Sequence, residues 1–68
     1  MERPYDGQVR AYAAERDAYV LVFQEDPEKF NAVMETAEMI GVGASGTSRE
    51  AALEALLQEA IAFDWPVA

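Results

Sequence analysis

The chain contains no cysteine and no histidine, and its only lysine is Lys29. Without thiols there is no disulfide, no thiolate ligand and no thiolate nucleophile, so stability has to come from packing, and a reducing compartment, the cytoplasm, is expected. Without imidazole the commonest general base is missing as well. Proline and glycine are scarce, at three and four residues, which together with the hydrophobic content argues for a globular domain rather than a disordered tail. No apolar run approaches the roughly 18 residues of a membrane span. The start, Met1-Glu2-Arg3-Pro4-Tyr5-Asp6, lacks the basic and apolar regions of a signal peptide, so no membrane association is expected.

What is present is 68 residues, 51% of them hydrophobic and 26% charged, enough for one core. A domain of this size buries only about 60% of its unfolded surface, so self-association adds useful burial and a homodimer is expected. Thirteen acidic residues against five basic ones give a net charge of −8, spread from Glu2 to Asp64. Such a field repels phosphate backbones and attracts basic partners or metal cations. Direct nucleic-acid binding is therefore not expected, and a basic protein partner is. An acidic surface also keeps a small protein soluble.

Along the chain, Thr47-Ser48-Arg49-Glu50 reads as a helix start, with Thr47 as cap and Glu50 completing a capping box. Leu53, Leu56, Leu57, Ala60 and Ile61 follow as one buried stripe, and Pro66 ends the helix near Phe63. Residues 64–68 form a tail whose Trp65 is expected to fold back onto apolar surface. Tyr19-Val20-Leu21-Val22-Phe23 reads as a central strand covered on both faces. Residues 8–14 alternate Val9, Ala11, Ala13 against Arg10, Tyr12, Ala14 and read as a partner strand, joined to it through the polar turn Glu15-Arg16-Asp17. Residues 27–40 fit two templates. Asp26 as cap, Pro27 at the first position and the spacing of Phe30, Val33, Met34, Ala37 and Ile40 favour a helix. The alternation Phe30, Ala32, Met34, Thr36 after the turn-like Glu25-Asp26-Pro27-Glu28 favours a strand.

Gly41-Val42-Gly43-Ala44-Ser45-Gly46 matches G-x-G-x-x-G before a helix. A dinucleotide unit needs a further parallel strand, and only five residues follow Phe63, so a flexible or tightly turning lead into the helix is expected instead. The same segment with Ser48-Arg49-Glu50 is similar to the helix junction of double-stranded RNA-binding domains, but Glu50 stands where those domains place basic side chains. Ser45, Thr47 and Ser48 have no evident base beside them, so no catalytic residue is assigned. Glu25, Asp26 and Glu28 at the turn, and Glu50 and Glu54 one helical turn apart, offer carboxylates for a hard cation, yet their spacing matches no calcium loop; no metal site or cofactor is assigned. Phe30, Met34 and Met39 read as core filling rather than as a binding patch.

Tyr19-Val20-Leu21-Val22-Phe23, the acidic turn, Phe30-Asn31-Ala32, Gly41 and Gly46-Thr47-Ser48-Arg49-Glu50-Ala51-Ala52-Leu53 together resemble the N-terminal domain of HicB-type antitoxins across residues 18–63. The linking proline of that family is missing here, and the distance from Ala32 to Gly46 is slightly long. The resemblance implies a β-β-β-α domain, often dimeric, that neutralises a small basic ribonuclease by covering its active surface.

The combined expectation is an α+β domain: a small antiparallel sheet of three to four strands with a C-terminal amphipathic helix packed across it. Residues 1–7 are an extension, 8–46 mainly sheet, 47–63 helix and 64–68 tail. Leu53, Leu56, Leu57 and Ile61 should face Leu21, Phe23, Phe30 and Met34. The protein is expected to bind rather than catalyse, presenting Glu50, Glu54 and Glu59, or Glu25, Asp26 and Glu28, to a basic partner. The alternative is an inhibitor that mimics nucleic acid, with carboxylates standing where phosphates lie.

Overall fold

The computed structural model describes residues 4–63 and residue 65. Its elements run α1 (Pro4–Ala14), β1 (Ala18–Asp26), β2 (Lys29–Thr36), β3 (Gly41–Gly46) and α2 (Arg49–Ala62). The strands form one antiparallel sheet in the order β1-β2-β3, and both helices pack on one of its faces around a shared core. The architecture is α+β, with the C-terminal helix on the sheet.

Ser48 caps α2, accepting the Ala51 N–H at 3.1 Å. The cap thus sits one residue after Thr47, and no Glu50 hydrogen bond completes a capping box; one Glu50 carboxylate oxygen is buried without a partner among the described residues. Ala52, Leu53, Leu56, Leu57 and Ala60 are buried, and each leucine contributes about 1.5–3 kcal/mol by leaving water. Ile61 was expected in this stripe but is exposed, because a step of about 100° per residue turns it past the sheet once Ala60 faces inward. The helix ends at Ala62 with Phe63 as its cap. Trp65 does fold back and is buried. Its backbone holds the chain end in place: its N–H donates to Ala60 O at 2.8 Å, and its carbonyl accepts from the Tyr12 hydroxyl and Arg16 Nε, both at 3.0 Å. Residues 64 and 66–68 of the tail lie outside the described residues.

The N-terminal strand expected over residues 8–14 is a helix, and with it the fourth strand and its hairpin disappear. The alternation was carried by alanines, and alanine is the best helix former. Of Val9, Ala11 and Ala13, only Val9 and Ala13 are buried while Ala11 is exposed. A spacing of four residues is one helical face. Arg10 reinforces the helix through Asp6 at 3.2 Å, an i,i+4 pair. Arg16 lies 3.5 Å over the Tyr12 ring and donates to the Tyr12 carbonyl, closing the helix end. Asp17, at φ 56°, then turns the chain into β1.

Residues 29–36 form a strand, and β2, not β1, is central. Asp26 and Pro27 make a turn instead of a helix start: the Asp26 carboxylate accepts the Glu28 N–H at 2.8 Å, the local bond by which aspartate stabilises turns. Because both helices pack on the same side of the sheet, β1 is covered on one face only. Val20 and Val22 pair with Met34 and Ala32 and pack toward the helices, whereas Leu21 and Phe23, expected against α2, point away and are exposed. Residues 41–46, expected as a turning lead into the helix, form β3 paired with β2. Gly46 is demanded by packing, since a Cβ there would lie 2.7 Å from the Ala52 nitrogen. That contact lets β3 run directly under the first turn of α2.

Candidate interaction surfaces

The β1–β2 turn projects Glu25, Asp26 and Glu28 from one end of the sheet, and all three are exposed. Glu25 is engaged, accepting from Asn31 Nδ2 at 2.9 Å and lying 3.6 Å from Lys29 Nζ. Asp26 and Glu28 have no ion-pair partner among the described residues. The register Phe30↔Gly46 brings the start of α2 to this same end. Glu50 therefore belongs with the turn carboxylates, while Glu59, more than two helical turns later, belongs to the opposite end. Glu50, Glu54 and Glu59 are only half-exposed. Glu54 accepts from the Tyr5 hydroxyl and Gln58 Nε2, both at 3.4 Å. The six candidate carboxylates thus do not form one surface: the turn trio is exposed, with Glu25 held by Asn31 and Lys29, and the helix trio is divided between the two ends and partly occupied by α1.

The described cations are committed to their own chain. Arg10 and Arg49 both hold Asp6, each at 3.2 Å, Arg16 holds the Trp65 carbonyl, and Lys29 holds Glu25. Desolvation raises the Asp6 pKa, but the Arg49 hydrogen bond and the charges of Arg10 and Arg49 outweigh it and hold the carboxyl below its usual range. Among the serines and threonines singled out, the Ser48 hydroxyl is occupied by the helix cap. No group of three or more carboxylates in metal-holding proximity occurs among the described residues. No described helix is long and apolar enough to cross a membrane. Phe30, Met34 and Met39 do not share a patch: Met34 is fully buried, Phe30 half-buried at the core edge, and Met39 exposed.

A surface that the sequence did not single out lies on the helix-free face of the sheet. Tyr19, Leu21 and Phe23 of β1 are 46%, 54% and 53% exposed there. Next to them run Glu35, Val33 and Asn31 of β2, and then Gly41, Gly43 and Ser45 of β3. The Tyr19 hydroxyl donates to Glu35 Oε1, a bond that, ahead of desolvation and the neighbouring charge, raises the tyrosine pKa. A shallow hollow of about 320 Å³ opens between Phe23, Asn31, Val33, Gly43 and Ser45. The sequence signal was available in the alternation of Tyr19, Leu21 and Phe23 with Val20 and Val22, but both sets are apolar, so it did not tell a covered face from an open one. Comparison with protein-family models, curated proteins and solved structures found no match to this chain.

Proposed function

We propose that this chain is a protein-binding module, not an enzyme, that engages a basic partner through the carboxylates at the β1–β2 turn. The observation that carries the reading is the exposure of Asp26 and Glu28 at the sheet tip without an ion pair among the described residues, the neighbouring Lys29 being held by Glu25. Glu50 lies toward the same end of the sheet, and the carboxylates there add up to a negative field that steers a basic surface toward the tip. The described arginines and the lysine are already held by the chain's own oxygens, which leaves little to grip a phosphate backbone. The absence of histidine and cysteine from the whole sequence favours binding over catalysis. The element order β-β-β-α over residues 18–62 is the one that a HicB-like antitoxin domain requires. Under that reading the partner is a small basic toxin covered by the acidic end.

Affinity capture with the full chain from extracts of its native host tests the proposal, run at about 0.1 M and about 1 M salt, where exposed charges are screened over about 10 Å and about 3 Å. A basic protein retained at the lower salt is expected, with retention falling on the order of tenfold at the higher salt or with Asp26→Asn/Glu28→Gln. Capture of a nucleic-acid-binding protein that free DNA displaces points instead to the mimic. The reading fails if no basic protein is retained at the lower salt, or if the double variant captures as well as the parent.

A further inference from the structure

The open face of the sheet carries two glycines that the single chain does not explain. No described glycine has a positive φ, so conformation does not demand them. A Cβ at Gly43 would meet Ala32 O at 3.6 Å and Val33 Cγ2 at 3.7 Å, and one at Gly41 would meet Met34 O at 3.4 Å, which are ordinary contacts. Gly46 contrasts with both, because its Cβ position is filled by α2. Glycine inside a strand costs about 0.5–1 kcal/mol relative to alanine. A strand glycine that no bulge, bend or internal contact requires is suited to a close approach by another backbone or a ligand. Here it lies beside a half-exposed row of Tyr19, Leu21 and Phe23, with a hollow between the two.

Charge selects the occupant. The face holds Glu25, Lys29 and Glu35, with Glu25 and Lys29 paired, so it carries one net negative charge out of the chain's −8. A strongly basic partner has little to hold there, whereas two copies of an acidic chain meet with least repulsion on this face. We propose that a second copy of this chain packs on it, sheet against sheet, about a two-fold axis crossing the Leu21–Val33 pair with the strands of the two copies antiparallel.

In that arrangement Leu21 lies over its own counterpart, and Tyr19 of each copy lies over Phe23 of the other, giving two aromatic contacts from one pattern. Glu35 of each copy comes toward Asn31 and Lys29 of the other, and the acidic turns fall at opposite ends of the pair. Gly43, in the same register row as Leu21 and Val33, then lies over its own counterpart, so the bare β3 backbones of the two copies can sit close. Three strands about 4.8 Å apart and about six residues long make a footprint of roughly 14 by 20 Å. At roughly 280 Å² per copy this falls below the roughly 800 Å² per partner of stable specific interfaces, so the dimer belongs to the weak, reversible class. It leaves Asp26 and Glu28 of the turn open, and its test needs no partner, so it stands or falls separately from the proposed function.

Sedimentation of the purified full chain from about 5 μM to about 500 μM reads the proposal directly. The mass is expected to rise from 7.5 kDa toward twice that value. Leu21→Asp should stay monomeric throughout with an unchanged circular dichroism spectrum, since Leu21 is outside the core. Lys29→Glu and Glu35→Lys should each weaken association severalfold, and the two together should restore it. Asp26→Asn/Glu28→Gln should associate like the parent. A monomer at the highest concentration, a Leu21→Asp chain that dimerises normally, or a double swap no better than its parts overturns the proposal.

Discussion

The two faces of the sheet are built from the same strands and differ in what covers them. On the inner face Val20, Val22, Ala32, Met34, Val42 and Ala44 meet Val9 and Ala13 of α1 and the leucines of α2. These are small, branched or flexible side chains that fill the space under two helices. On the outer face the larger Tyr19, Leu21 and Phe23 stand one strand away from bare glycine backbone and have none of the described residues over them. Hydrophobicity alone therefore does not make the core of this protein; the core is where residue volume matches the layer above it. The outer face has the apolar character of a core and the relief of an interface, with projecting side chains beside a hollow.

The sharpest way to break this comparison is to truncate one side chain on each face. Met34 is fully buried, so Met34→Ala is expected to cost about 2–5 kcal/mol, a large share of the roughly 3–10 kcal/mol that a chain of this length has in total. Leu21→Ala, at concentrations where the chain is monomeric, should stay within about 0.5 kcal/mol. Urea unfolding of both variants checks the pair, and equal losses would mean that the outer face is also packed in the monomer.

The glycines give a second contrast, of smaller size. Gly46→Ala forces backbone atoms of Ala51 and Ala52 to move, and a loss of about 1–3 kcal/mol is expected, the range of overpacking. Gly43→Ala has ordinary contacts available and should raise monomer stability by about 0.4–1 kcal/mol, chiefly by restricting the unfolded chain. Thermal melts at low protein concentration separate the two signs.

The smallest effect is electrostatic. Asp6 ties α1 to α2 through Arg49, and its pKa is lowered in the fold from 3.8. A depressed carboxyl stabilises the native state above its unfolded pKa, and this contribution disappears as pH falls through the lower native value. Asp6→Asn should therefore lower the melting temperature slightly at neutral pH and match the parent at the acid end, as melts from about pH 6 to about pH 2 would show.

The parts legible in the sequence are those whose pattern has a single cause. The α2 stripe of Leu53, Leu56 and Leu57 is visible because one face is buried and the other is polar. The turn carboxylates Glu25, Asp26 and Glu28 are visible because an Asp-Pro pair between apolar runs has few other uses. Elsewhere two causes overlapped. In α1 the alanines made period two and period four look alike, and only burial of Val9 and Ala13 distinguishes them. In β1 an apolar residue at every position of 19–23 resembled a strand covered on both sides. Glu50 and Glu54, one turn apart on α2, read as carboxylates offered to a partner, because no local pattern shows that α1 is a helix that brings Tyr5 to Glu54.

By itself the sequence determined the acidity, the lack of imidazole and thiol chemistry, the amphipathic C-terminal helix and the α+β character, all of which follow from composition or from short-range periodicity. Only the tertiary structure decided that residues 4–14 are helical, that residues 29–36 are the central strand, and that one apolar face of the sheet is left open. Those outcomes depend on which helix covers which strand, a long-range choice of packing that no local window of residues contains.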